Sequence, residues 1–277
     1  MSTPTRVDEV NELEVDEVEG VGPPPTARSR TRRVAGEGLV ELLALPVLVV
    51  VIFLGYLWWR DTAHLDAIES SSLDWAAVRA QAWQHVRLTI VAAAIVVAVA
   101  VPLGIALTRR GLRRAAPVVV AVANAGQAAP SIGLIVLLFI WLPSWSGFWV
   151  SVLALTLYGV LPVLRNTITG LQGVDSDLVE AARGIGMSAP STLRRVELPL
   201  ALPVIMSGVR TSLVLIVGTA TLATFVGGGG LGETLNTGIT LFRFSVMVSA
   251  ALLVALLALV VEWVGRVLEL VLRPRGI

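Results

Sequence analysis

The chain contains no cysteine and no lysine. Without cysteine there are no disulfides, thiolate metal centres or cysteine nucleophiles. Without lysine there is no Walker-type phosphate loop, because that loop sets a lysine ammonium against the β- and γ-phosphates. Charge is scarce as well: 15% of the 277 residues are ionised acids or bases, against about 25% in an ordinary soluble domain. The net charge of +1 gives no reason to expect a nucleic-acid partner. The 2 histidines, His64 and His85, are expected together in one surface loop and are too few for a metal site. No cluster of nucleophile, acid and base stands out, so neither enzyme chemistry nor a cofactor is expected.

What fills the chain instead is apolar: 55% of residues are hydrophobic. A bilayer-spanning helix needs about 20 predominantly apolar residues. Six runs qualify: Leu42–Trp59, Leu88–Leu107, Val118–Leu142, Phe148–Leu164, Leu202–Val226 and Phe244–Leu268. The third is interrupted by Asn124, Gly126, Gln127 and Pro130. The expected fold is therefore an all-α membrane protein of six transmembrane helices. Residues 1–38 differ in kind. Seven acids between Asp8 and Glu19, three prolines at Pro23, Pro24 and Pro25, and Arg28, Arg30, Arg32 and Arg33 cannot bury enough apolar surface to offset ordering entropy. They are expected to form a disordered tail, with residues 39–277 forming the membrane domain.

Arginines orient the spans. With the N-terminus in the cytoplasm, the inner segments hold Arg28 to Arg33, Arg109 to Arg114, Arg165, Arg183, Arg194, Arg195, Arg266, Arg273 and Arg275. The outer segments hold only Arg60, Arg79, Arg87 and Arg243. This is the positive-inside asymmetry, and it places both termini in the cytoplasm. Trp58, Trp59, Trp75, Trp83, Trp141, Trp145 and Trp149 fall on the outer side. They are either an interfacial belt or, because indole faces attract quaternary ammonium groups, part of a ligand cage. Carboxylates and histidines are absent from mid-depth, so a proton-coupled pathway is not expected. Glu41, Arg210 and Glu262 lie near inner ends, within reach of headgroups.

The longest polar stretch after residue 90 is the inner loop of about 166–200, and its pattern is that of two short helices. Asp175, Ser176 and Asp177 offer cap oxygens, with Asp177 and Glu180 at capping-box spacing. Leu178, Val179, Ala181, Ala182 and Ile185 form an apolar stripe at helical period. Gly184 and Gly186 allow a sharp turn. Ser188 opens a second helix, with Pro190 in its first turn, running through Arg195 and breaking before Pro199. Pro203 then starts the fifth span. The small side chains of Ala181 and Ala182 would admit close approach by another surface, so the elbow is either a docking element or an amphipathic connector.

Glu180-Ala181-Ala182, then Gly186, then Val196-Glu197-Leu198-Pro199 resembles the EAA loop of bacterial binding-protein-dependent ABC transporter permeases, with Val196 where isoleucine is common. That resemblance implies a cytoplasmic coupling elbow gripped by a separate ATPase subunit, with Glu180, Ala181, Ala182, Arg183, Gly184, Gly186, Leu198 and Pro199 in the coupling role. Leu157 to Thr167, Gly218 to Ala223, and Gly227 to Glu233 are similar to the osmoprotectant branch, which imports glycine betaine, carnitine, choline or proline. The resemblance spans about residues 85–270. It implies a multi-pass subunit of a bacterial plasma membrane, a second permease subunit, identical or not, and an extracytoplasmic substrate-binding protein. The alternatives are an ABC permease for another small zwitterion or amino acid, and an ATP-independent secondary transporter or channel.

Expectations for the pathway rest on residue type. Asn124, Gln127, Pro130 and Ser131 place polar or irregular backbone at depth, which is tolerated where it is buried or lines water. Thr219, Thr221 and Thr224, with Gly208, Ser212, Gly218 and Ala220, either pack against a neighbouring helix or face a pore. Gly227 to Gly230 are either a flexible turn or a point of close backbone approach at an outer gate.

Overall fold

The computed structural model describes residues 27–272, with side chains from Leu42 onward. The first 26 residues of the expected tail, the cap of arginines at its end and Glu41 thus lie outside the described side chains. The contact pattern divides the chain between Leu43 and Ala44. Of the first unit, the helical backbone from Ala27 is described; everything below concerns the second.

Eleven α-helices follow one another, and no strand occurs among the described residues. They are α1 (Ala27–Thr62), α2 (Ala67–Ser72), α3 (Trp75–Thr108), α4 (Ala116–Ala128), α5 (Ser131–Trp141) and α6 (Gly147–Gln172). Then come α7 (Ser176–Gly184), α8 (Ala189–Thr192), α9 (Leu198–Ala220), α10 (Gly232–Thr240) and α11 (Phe244–Leu272). Five segments are long and apolar enough to cross a membrane, and six if the bent pair α4–α5 counts as one. The expected third span is therefore two half-helices meeting at 96°. Ala129 is extended, as the residue before a proline prefers, and Pro130 lacks the N–H that a continuous helix would need.

His85 departs from expectation. It lies inside α3, which begins at Trp75, and is fully buried rather than in a surface loop. Asp74 starts that helix early by accepting the amide protons of Ala76 and Ala77.

The centre of the bundle is α6, packed against α3, α4, α5 and α9. Lipid tails are as apolar as leucine, so helix association here rests on close packing and hydrogen bonds. Small residues supply the closeness. Gly104 of α3 lies under Thr167 of α6, where a Cβ would stand 2.7 Å from the threonine side chain. Gly208 of α9 lies against Asn166, where a Cβ would stand 2.6 Å from the asparagine Cβ. Ser212 of α9 is buried and donates to the carbonyl of Gly159 at 2.9 Å. Gly208 and Ser212 thus serve packing, whereas Gly218 is open, with nothing within 4 Å of a Cβ. Leu88, Val96, Leu155, Leu164 and Ile216 fill the layer between these contacts. Outward, Val47, Val51, Leu54, Leu137 and Ile140 are exposed, as lipid-facing side chains must be.

Candidate functional site: the elbow and the polar cleft

The elbow is built by two cooperating local signals. Asp175 starts α7 by accepting the amide proton of Asp177 at 2.9 Å. The capping box expected from Asp177 and Glu180 does not form, because the helix begins two residues earlier. Gly186, at φ +90°, ends it. The amide of Gly186 donates to Arg183 at 2.9 Å and that of Met187 to Ala182 at 3.1 Å, the crossed pair of a Schellman motif. Gly184 plays no part in the turn; it is the last residue of the helix.

The apolar stripe of α7 divides. Ala182 is buried and Val179 half-buried, so these face the protein. Ala182 is therefore a packing residue and not, as expected, part of a surface open to close approach. Leu178, Ala181 and Ile185 face outward at i, i+3 and i+7, and Ile185 is 82% exposed. Glu180, Arg183, Gly184 and Gly186 are exposed beside them.

The second arm differs more. α8 is a single turn after Ser188, whose side chain makes no cap bond. Leu193–Glu197 is a π-turn, closed by the Leu198 amide on the Leu193 carbonyl. It passes without a break into α9, where Pro199 sits in the first turn and Pro203 lies inside the helix. The expected break before Pro199 is absent because the wider π-turn carries the chain past a residue that has no amide to donate. Leu198 is half-buried against Leu171, Ala201 and Ile205. Beside it the Glu197 carboxylate, 7% exposed, takes a two-pronged ion pair from Arg109 at the end of α3, at 3.2 and 2.5 Å. Sequence reasoning missed this pair, whose members stand 88 positions apart.

The residues proposed for a pathway do not all meet. Gln127 lines an open cleft of about 420 Å³ with Pro162, Thr211, Val214, Leu215 and Glu262. Glu262 pairs with Arg210 at 3.3 Å, and Arg210 also reaches Glu269 at 3.2 Å. Pro162 cannot donate to Tyr158, so the Tyr158 carbonyl is free to take the Gln127 amide at 3.4 Å. The Tyr158 hydroxyl in turn donates to the Ala129 carbonyl at the α4–α5 bend. Tyr158→Phe leaves that carbonyl without its donor. A drop of about 1 kcal/mol in stability is expected, read as a lower thermal midpoint in detergent. Asn124 is exposed and accepts from Arg165 at 3.3 Å. Pro130 and Ser131 lie at the bend itself. Thr219 donates to the carbonyl of Leu215 in the cleft lining and Thr221 to that of Gly218, while Thr221 and Thr224 lie in the 3₁₀ turn that follows α9.

That far end carries the glycine run. Gly227, Gly229 and Gly230 have φ of +70°, +81° and +100°, and residues 228–231 are buried. The Gly230 amide donates to Gln84 of α3 at 3.0 Å, and Thr234 donates to Gln81. His85 lies alongside, with its Nε2 on the Val217 carbonyl at 2.9 Å. Of the two expected readings, close backbone approach fits and a free turn does not. As for the tryptophans, Arg60 covers the face of Trp75 at 4.7 Å, and Trp58, Trp83 and Trp141 are 71%, 68% and 76% exposed. Phe53 packs against Tyr56 and Trp75, Tyr56 against Trp59, and Phe148 against Trp149.

The family described as "binding-protein-dependent transport system inner membrane component" matches residues 100–273. The choline transport system permease protein OpuBB of Bacillus subtilis is 41% identical over 194 residues, 70% of this chain and 88% of that one. The glycine betaine/carnitine/choline permease protein OpuCB of the same organism is 39% identical over the same shares. The osmoprotectant import permease protein OsmW of Salmonella typhimurium is 38% identical, over 70% and 91%. Among solved structures, the inward-facing MetNI methionine ABC transporter superposes with a TM-score of 0.64 at 23% identity, over 72% of this chain and 98% of that one.

Proposed function

The chain belongs to the family of binding-protein-dependent transport system inner membrane components, and from that premise we propose that it is the permease subunit of an ATP-driven importer for quaternary-amine osmoprotectants. Glycine betaine, choline and carnitine are the solutes to test, because they are what relatives at 39–41% identity are named for. The carrying observation is the split face of α7. A helix on a polar loop that turns Leu178, Ala181 and Ile185 outward presents apolar area that no described residue covers, and such a face reads as one half of a helix-in-groove contact.

The groove belongs to a cytoplasmic ATPase subunit. Glu180, Ala181, Arg183, Gly184 and Gly186 line the contact; Ala182, Leu198 and Pro199 hold its back against the bundle. The arginine asymmetry puts this end and both termini in the cytoplasm of a bacterial plasma membrane. ATP binding favours one of two packed arrangements through its differential affinity for them. A substrate-binding protein delivers solute to the opposite face, and a second permease subunit completes the pathway. Asn124, Gln127, Pro130 and Ser131 border that pathway from one helix pair, and Thr219, Thr221 and Thr224 from the end of α9 and the 3₁₀ turn after it, near the glycine run.

Reconstituted vesicles provide the test. Uptake of labelled glycine betaine should need the ATPase subunits, the binding protein and ATP together, and unlabelled choline or carnitine should compete. Uptake by the purified chain alone would instead assign a secondary carrier or channel. Competition by an amino acid but by none of the three amines would move the assignment to another zwitterion.

A further inference from the structure

Arg109 and Glu197 join helices that meet beside the elbow, and the geometry of the pair is unusually fixed. Arg109 caps the end of α3, its Nε donating to the Ile105 carbonyl at 3.4 Å while its two terminal nitrogens take both oxygens of Glu197. Its neighbours Arg110, Arg113 and Arg114 are exposed, and among the described residues none of them reaches a carboxylate within ion-pair distance. Glu197 is the last residue of the π-turn, so it stands where the elbow becomes a membrane helix. π-turns cluster at functional positions. A buried ion pair is a poor source of stability, since apolar residues of similar volume do as well or better. What a two-pronged pair supplies is a fixed direction between two backbones.

At its other end α3 carries Gln81 and Gln84, the residues that hold Thr234 and the amide of Gly230. The contacts therefore run without a gap from the elbow through Glu197 and Arg109 along α3 to the glycine run. We propose that Arg109 and Glu197 are positioning residues that make α3 move with the elbow, so that ATPase closure is felt at the glycine run. The inference rests on the elbow being the ATPase contact. A chain of contacts becomes a coupling route only when perturbing it alters the response at the far end.

The readout is amide exchange of residues 227–234 in the full complex, with and without a non-hydrolysable ATP analogue, alongside co-purification of the ATPase subunits. In the unaltered complex the analogue should change protection of these amides. Arg109→Gln and Glu197→Gln should keep the ATPase bound while that change shrinks by about five-fold or more, the lower bound of ordinary coupling between sites. Two double variants separate transmission from stability. Exchanging the charges, Arg109→Glu with Glu197→Arg, should restore the response; Arg109→Met with Glu197→Met removes the unpaired charge and should not. A normal response in the double methionine variant overturns the proposal, and if the exchanged pair does not fold, this variant alone decides. Loss of the ATPase from the single variants also overturns it, since the pair would then shape the docking face. An unaltered chain that never retains the ATPase refutes the elbow reading itself, and this proposal with it.

Discussion

Gly186→Trp is expected to abolish retention of the ATPase subunits while the protein still inserts and accumulates. Gly186 holds φ +90°, where an L-residue is strained, at a cost of about 1–2 kcal/mol. A Cβ there meets nothing within 4 Å, so the chain itself does not reject a larger group. The indole would instead stand in open space at the turn that ends α7, next in sequence to the exposed Ile185. Gly186→Ala carries the same backbone strain without the bulk and is the control. Retention measured by pull-down should fall modestly for alanine and by about a hundred-fold for tryptophan, a loss of about 3 kcal/mol. Equal retention by the two variants would mean that the groove lies elsewhere.

The second large effect lies at the other end of the molecule. Gly232→Val should prevent stable folding of the membrane domain. A Cβ at Gly232 would overlap the carbonyl oxygen of Thr221, and one at Gly147 would overlap that of Val226. Both obstacles are backbone, so no side-chain rotation relieves them. Overpacking of a core costs about 1–3 kcal/mol where side chains can shift, and more where backbone must move. The variant should therefore be recovered in small amounts or with a markedly lower thermal midpoint. Gly218→Ala, in the open stretch of α9, should behave as the unaltered protein does. A normal midpoint for Gly232→Val would show that the 3₁₀ turn and α10 can separate without cost.

Local signals in the sequence carry much of this architecture. Five of the six spans were recoverable from apolar run length, because a bilayer imposes a length that few other environments require. The elbow was recoverable because Asp175 and Gly186 act on their own neighbourhoods. The interruption of the third span was visible in Pro130, although its 96° angle and the Tyr158 hydroxyl that meets Ala129 at the bend were not. His85 was misplaced in a loop because Gln81, Gln84, His85 and Arg87 look like solvent-facing residues. Two of them are polar because a distant glycine segment needs acceptors, at separations of 146 and 153 residues. The pairing of Arg109 with Glu197 escaped notice because the two stand 88 positions apart, Glu197 being read within its motif and Arg109 as one of the inner charges. The π-turn was hidden because Leu193 to Glu197 suit any helical pitch. One signal was available and unused: Pro162 announces a free carbonyl at Tyr158, and Gln127 is the amide that takes it.

The absence of a break between the second arm of the elbow and α9 has a kinematic consequence. The 23 residues of α9 span about 35 Å. A tilt of roughly 10° applied at the elbow end of such a rod sweeps its tip through about 6 Å, given that rise per residue. That travel is comparable to the width of a trimethylammonium group. Under the importer reading proposed above, a modest angular stroke at the elbow is geometrically sufficient to open and shut a passage for a solute of that girth, with no helix needing to unwind.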